Sequence, residues 1–268
     1  MHAPVRPSEP IPTELLLLAY RSGIFPMADH RDDPEVYWVE PRERAIIPLH
    51  DFRLSRSLAK TLRRDSFRVS CDAAFAEVIA ECAAPREEHA ESWISRRIED
   101  SYLDLHHEGH AHSVECWLRT ADGGYSLAGG LYGVAFDRVF CGESMFSRAD
   151  NASKVALAWL VAGLRHSGFA LLDCQFMTDH LASLGAVSIP QDEYLRRLKA
   201  ARGAPTCSLT QAISSFVDPG VGAGGAGDGL VAGASVRGAI GRAGASGASP
   251  AETSSPGKRI AQSLTQTS

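Results

Sequence analysis

Three groups of residues in this chain have the types and spacing to do chemistry. Asp173-Cys174-Gln175 closes a short apolar run, Phe169 to Leu172. Open sheets carry ligands at the carboxyl ends of their strands. An aspartate there can orient or deprotonate an amine nucleophile, and a glutamine can hold a carbonyl or a ribose hydroxyl. The alternative is an aspartate that only caps the next turn. A second carboxylate, Glu143, stands among apolar neighbours in Cys141-Gly142-Glu143-Ser144-Met145-Phe146. Pointing inward, its charge needs a partner, and it can bind the ammonium of an amino-acid substrate; pointing outward, it is a solvated strand end. The third group is basic. Arg53, Arg56, Lys60, Arg63 and Arg64 fall within about 100° of helical arc, and Asp65 is the only acid from 53 to 66. An unneutralised basic face tracks a phosphate backbone without reading bases, where an ordinary charge run is simply solvated.

Other patterns carry less. His106, His107, His110 and His112 are close in sequence, but Gly109 interrupts them and no HExxH is formed, so no metal site is expected. Cys174 beside Asp173, with His180 downstream, resembles a cysteine acyltransferase pair, but a buried strand-end cysteine is usually structural. Arg165 to Ala170 fits a loose acetyl-coenzyme A loop pattern. It leaves a helix C-terminus, whereas a pyrophosphate needs a helix N-terminus. The glycines of 220–225 have neither a strand before them nor a helix after them.

These residues need elements to hold them. A short helix over Leu15 to Ala19, ended by Gly23, precedes a strand at Val36 to Val39 and another at Ala45 to Pro48. Residues 53–65 read as a helix with Leu54, Leu58 and Leu62 on its apolar side. Phe67 to Val69 is a strand; helices follow through Phe75 to Cys82 and from Ser95 to Gly109. The middle of the chain turns to β at His112–Leu118, Ser126–Phe136 and Val139–Phe146. Residues 151–166 form a helix that is apolar on more than one face and therefore buried. It feeds the strand at 169–172, and a short helix then ends at Gly185. The pattern predicts an α+β fold: a small N-terminal domain, 1–50, beside a mixed sheet flanked by helices, 51–202. From 203 to 268 glycine, alanine and serine dominate, which predicts a disordered tail.

Composition narrows the setting. The net charge of −5 offers no global attraction to nucleic acid, so any RNA contact must be local. No apolar run nears the roughly 18 residues that span a bilayer, and the first residues lack a signal-type apolar stretch. Six cysteines without a CxxC pair read as reduced thiols, so a cytoplasmic location is expected, with no membrane contact.

Several colinear blocks resemble the leucyl/phenylalanyl-tRNA–protein transferases: Ser22-Gly-Ile-Phe-Pro-Met27, Tyr37-Trp38, Trp93-Ile94-Ser95, Gly109 to Glu115, Gly129 to Gly133, Phe140 to Ser147, Asn151 to Lys154, and Leu172 to Gln175 through Gly185-Ala186. The resemblance covers about residues 12 to 198. It implies an acetyltransferase-like catalytic domain that moves Leu or Phe, and less readily Met, from aminoacyl-tRNA to proteins beginning with Arg or Lys, marking them for degradation. It implies no metal and no coenzyme. It assigns Asp173 and Gln175 to assisting the acceptor amine and Glu143 to a carboxylate nearby; from the chemistry, Asp173 is then expected to orient the amine and help remove its proton, with Gln175 holding Asp173. Trp38, Trp93, Phe140 and Met145 are implied to grip the terminal adenosine and the apolar side chain. The basic residues at 53–64 are implied to meet the tRNA acceptor stem. Arg96 stands where proline often follows the Trp-Ile-Ser block. The rival readings are an acetyl-coenzyme A-dependent N-acetyltransferase, which needs a strand-to-helix phosphate loop, and an RNA-binding module, which needs no apolar pocket beside two acids.

Overall fold

The structure, a computed structural model, describes residues 9–85, 92–218 and 254–266. Helix α1 (Thr13–Arg21) leads into a two-stranded antiparallel hairpin, β1 (Phe25–Met27) and β2 (Tyr37–Val39). Then come β3 (Glu43–Ile47), a single 3-10 turn at Leu49–Asp51, α2 (Arg56–Arg63), β4 (Arg68–Cys71), α3 (Phe75–Ala83) and α4 (Arg96–His107). Three long antiparallel strands follow, β5 (Ala111–Arg119), β6 (Tyr125–Phe136) and β7 (Val139–Ser147). The buried helix α5 (Ala152–His166) crosses over to β8 (Leu171–Gln175), and α6 (Asp179–Ser183), β9 (Val187–Pro190), α7 (Gln191–Ala200), α8 (Leu209–Val217) and α9 (Pro256–Thr265) complete the chain.

Seven strands form one mixed sheet in the order β4-β5-β6-β7-β8-β3-β9. Only β7 and β8 run parallel, joined by a whole helix, α5; the short β5–β6 and β6–β7 turns impose antiparallel pairing there, and β4–β5, β3–β8 and β3–β9 pair antiparallel across long stretches of chain. The period-two alternation of strand side chains splits the apolar residues between two cores. On β7, Val139 and Cys141 pack with α1, α3, α4 and α7, and Phe140 between them packs with α2, α5, α8 and α9. The expected α+β architecture with a mixed sheet flanked by helices is therefore the one observed. β3 lies before residue 50, yet it is an inner strand of the main sheet, and the elements ahead of it dock on the α1-side core.

The expected structureless tail is corrected at two places. In α8, Leu209, Ala212 and Ile213 share one face and bury against α5; Ser208 and Gln211 form a reciprocal capping box at its start. In α9, Ile260, Ala261 and Leu264 do the same against α2 and α5. Each is a three-residue apolar stripe that the surrounding Gly/Ala/Ser composition hides. The glycines of 220–225 lie outside the described residues. The helix expected over 53–65 is shorter: Ser55 caps it, accepting from the Leu58 N–H at 3.2 Å, so Arg53 precedes α2.

Candidate active site

β7 and β8 pair only from Val139/Leu171 to Cys141/Asp173. Beyond that point β7 continues to Ser147 while β8 ends at Gln175, so the two strands part and leave room between them. Between β6 and β7 the register also shifts: Gly133 faces Gly142 and Tyr132 faces Ser144, which leaves Glu143 as the extra residue of a bulge. Bulges re-aim a side chain. The bulge depends on glycine opposite it, since a Cβ at Gly133 would stand 2.2 Å from the Cys141 carbonyl oxygen.

The space where the strands part is a cavity of about 250 Å³. Its walls are Leu131, Leu157, Leu160, Leu172 and Leu181 with Met145; Glu143 and Cys174 belong to the same lining. Ligand pockets for whole small molecules run from about 300 to 1,000 Å³; this one suits a single apolar side chain.

Glu143 is 7% exposed. It accepts hydrogen bonds from the Tyr20 hydroxyl of α1 (2.8 Å), the Tyr102 hydroxyl of α4 (3.1 Å) and the Gln175 amide Nε2 (2.8 Å). Tyr20 and Tyr102 also bond to each other. Burial pushes the Glu143 carboxyl up to about 7; the hydrogen bonds from Tyr20, Gln175 and Tyr102 oppose that rise and the nearby Asp173 charge adds to it. It is therefore a carboxyl group that can change protonation near neutrality.

Asp173 is different. It is wholly buried and is not among the residues lining the cavity. Arg44, 1% exposed on β3, grips it from Nε (2.9 and 3.1 Å) and Nη2 (2.7 Å), and the Tyr194 hydroxyl donates to it at 2.8 Å. The guanidinium is sandwiched between the rings of Phe25 (4.7 Å) and Tyr194 (4.5 Å) and donates to the Gly23 carbonyl at 3.0 Å. Burial alone would lower the Arg44 pKa; the neighbouring Asp173 more than reverses this and holds the guanidinium protonated.

Gln175 links the two acids, but not in the expected sense. Its side chain holds Glu143, and Asp173 holds Gln175 by accepting its backbone N–H at 2.8 Å. That bond stabilises a left-handed backbone at Gln175 (φ 62°), which few non-glycine residues adopt. The expectation that Gln175 holds Asp173 is thus reversed.

The structure brings Glu143 and Met145 together in the cavity lining; Gln175 is not part of that lining and reaches Glu143 through its amide. Phe140 is fully buried in the core that supplies the cavity's leucines and does not line it. Trp38, 39% exposed, pairs across the β1–β2 hairpin with Pro26. The Trp93 carbonyl accepts the N–H of Ala28, just after β1, so both tryptophans attach to that hairpin. The hairpin in turn touches the site: Phe25 meets Phe176, next to Gln175, edge to face at 5.7 Å. Arg53, Arg56, Lys60, Arg63 and Arg64 are all exposed.

Sequence reasoning missed Arg44, Tyr20, Tyr102 and Tyr194. The one available signal was an arginine at the head of the apolar run Ala45-Ile46-Ile47. Two further atoms matter. Among the described residues, Tyr132 Oη and His180 Nε2 are buried without a hydrogen-bond partner, and both residues line this cavity. Burial pushes the Cys174 thiol up, with the Asp173 charge adding to it, so no thiolate nucleophile stands here. In the histidine cluster, His106 bonds the Ala111 carbonyl and His112 bonds Asp72. Among the described residues no group of three or more His, Cys, Asp or Glu is placed to hold a metal ion.

Comparison with known proteins decides the family. The model described as leucyl/phenylalanyl-tRNA protein transferase matches residues 46–199, and the model of that family's N-terminal domain matches 10–42. A leucyl/phenylalanyl-tRNA–protein transferase of Novosphingobium aromaticivorans is 60% identical over 262 residues, 96% of this chain and 97% of that protein. The chain belongs to the leucyl/phenylalanyl-tRNA–protein transferase family. A second relative of the same name, from Rhizorhabdus wittichii, is 58% identical over 193 residues, 72% of this chain and 76% of that protein. A solved structure, L-PGS from Bacillus licheniformis, aligns with TM-score 0.34 and 14% identity over 63% of this chain and 55% of that one. Membership makes the chain an aminoacyltransferase that acts between aminoacyl-tRNA and protein. Among the described residues, no helix is long and apolar enough to cross a membrane.

Proposed function

We propose that this transferase moves leucine or phenylalanine, and methionine less readily, from aminoacyl-tRNA to the N-terminal α-amine of proteins beginning with arginine or lysine. The product's new N-terminus marks it for degradation, and the work is done in the cytoplasm without metal or coenzyme. The observation that carries the reading is the leucine-walled cavity of about 250 Å³ with a buried, titratable Glu143 in its lining. Its walls suit a γ-branched or aromatic apolar side chain, and a missing methylene there weakens selection by about 1–3 kcal/mol.

An aminoacyl-tRNA is already an activated ester, so positioning does most of the work and can contribute roughly 7–11 kcal/mol. The acceptor amine attacks the ester carbonyl carbon. A C–N bond forms, the bond from that carbon to the ribose oxygen breaks, and the freed ribose oxygen takes up a proton. Glu143, as carboxylate, takes the proton that the amine loses. Asp173 acts one step back: gripped by Arg44, it holds the Gln175 turn, and Gln175 aims Glu143. The unpartnered Tyr132 hydroxyl and His180 Nε2 supply hydrogen bonds for the polar groups of the ester end. Trp38 and Trp93 on the hairpin hold the terminal adenosine, Phe140 backs the apolar walls and Met145 forms one of them. The exposed face of Arg53, Arg56, Lys60, Arg63 and Arg64 receives the acceptor-stem phosphates.

The test is incubation of the protein with leucine-charged tRNA and a peptide starting with arginine, followed by mass spectrometry. The reading requires the peptide to gain one leucine at its N-terminus. Unchanged peptide in the presence of intact charged tRNA refutes it.

A further inference from the structure

A second cavity, of about 310 Å³, lies at the far end of α2 from the active site. Its lining combines four aromatic rings with two cations: Phe67, Trp117, Tyr125 and Trp159, with Arg68 and Arg119. Arg68 sits over the Tyr125 ring at 5.3 Å, and Tyr125 is 49% exposed. Among the described residues, neither Arg68 nor Arg119 has an acidic partner within ion-pair distance. The acid in the lining, Asp65, is engaged: its Oδ1 accepts the Gly257 N–H at 2.7 Å. The Trp117 indole N–H is engaged as well, donating to the Ser70 hydroxyl at 2.7 Å.

The position of this cavity is as informative as its chemistry. The Arg53 N–H donates to the Leu184 carbonyl, so the start of the basic segment abuts the end of α6, whose His180 and Leu181 line the active-site cavity. From Arg53 the cations Arg56, Lys60, Arg63 and Arg64 follow α2, a helix about 12 Å long at 1.5 Å per residue. The next residue, Asp65, is already in the second cavity's lining. One basic track thus runs from the reacting centre to an aromatic pocket with its own two arginines. Val217 of α8 and Pro256 of α9 close the pocket, and both lie outside residues 46–199 matched by the family's catalytic model.

Guanidinium groups pair with phosphate, and exposed aromatic rings stack with unpaired bases; a pocket offering both is suited to a nucleotide that has left a helical stack. We propose that this pocket binds an unstacked nucleotide of the tRNA substrate, its phosphate on Arg68 and Arg119 and its base against Tyr125 and Trp117. It anchors the RNA beyond the acceptor end that α2 tracks. The proposal rests on the reading of α2 as a tRNA contact.

The experiment compares wild type, the charge-reversed pair Arg68→Glu/Arg119→Glu, Tyr125→Ala, and a control with Arg56, Lys60 and Arg63 reversed. Affinity for full-length leucine-charged tRNA is measured against salt, and ultraviolet cross-linking followed by peptide mass spectrometry maps the nucleotide contacts on the wild type. The pocket variants should bind about tenfold or more weakly, and reversing two phosphate contacts should make the salt slope shallower by about 2. A cross-link on the wild type should map to the peptide holding Trp117 or Tyr125. Wild-type binding that is weakened by the α2 control but not by the pocket variants, with no cross-link there, overturns this proposal alone. If wild type fails to bind tRNA at all, the α2 reading fails with it.

Discussion

Replacing Arg44 by methionine tests how the site is built. Methionine keeps much of the aliphatic volume between Phe25 and Tyr194 and removes the charge. Asp173 would keep the Tyr194 hydroxyl and the Gln175 N–H but lose all three guanidinium contacts. Both groups are essentially out of water, at 1% and 0% exposure. Removing one partner of such a pair costs about 3–5 kcal/mol, because a buried charge is left uncompensated. Against a total stability of about 5–15 kcal/mol, Arg44→Met should leave a marginal fold. The loss comes from charge, so it should be rescued by neutralising the partner: in Arg44→Met/Asp173→Asn most of the stability returns, with a coupling of about 2–3 kcal/mol. Urea unfolding followed by tryptophan fluorescence reads this as shifts in midpoint at constant slope. Single variants that each cost under about 1 kcal/mol and simply add in the double variant would refute the argument that this ion pair fixes the end of β8.

Three further outcomes are expected. Glu143 titrates at about 7 in the fold against an ordinary 4.5. The native state therefore binds the proton more tightly, and the stability this contributes is complete below about pH 4.5 and is lost as pH rises towards 7. At 1.36 kcal/mol per unit this is about 3 kcal/mol of pH-dependent stability, and Glu143→Gln should abolish that slope in unfolding curves taken across the range. Leu157→Ala or Leu160→Ala enlarges the first cavity, so the ratio of kcat/KM for phenylalanine-charged over leucine-charged tRNA should rise, by about 1–3 kcal/mol or tenfold and more. Gly257→Val places a Cβ 1.9 Å from the Leu62 carbonyl oxygen; it should loosen α9 from α2, lower the melting temperature and expose the C-terminal segment to limited proteolysis.

What the sequence disclosed follows from the range of the interactions involved. The long strands β5 to β7 and helix α5 were legible because their apolar periodicity is local. Asp173, Gln175 and Glu143 could be picked out as strand-end polar residues beside apolar runs. Their division of labour could not, because it is set by partners far away in sequence: Arg44 is 129 residues from Asp173, and Tyr20 is 123 from Glu143. The bulge that singles out Glu143 depends on a register shift against Gly133, and no single-strand pattern reveals that. Tyr102 shows in the sequence only as a residue inside the helix expected from Ser95 to Gly109, although its hydroxyl donates to the Glu143 carboxyl. The helices α8 and α9 were missed because composition over a long window outweighed two short stripes.

Glu143, in the lining of an apolar cavity, is proposed to receive the acceptor amine's proton. Single-turnover transfer of leucine from charged tRNA to an arginine-starting peptide, followed from well below to well above pH 7 in wild type and Glu143→Gln, tests this most directly. The acceptor amine itself titrates at about 7.7–8.0, and both enzymes share that limb. The wild type should show an additional rise centred near 7, and Glu143→Gln should lack it and be slower by about 10²-fold or more. Superimposable profiles with equal rates would contradict the claim.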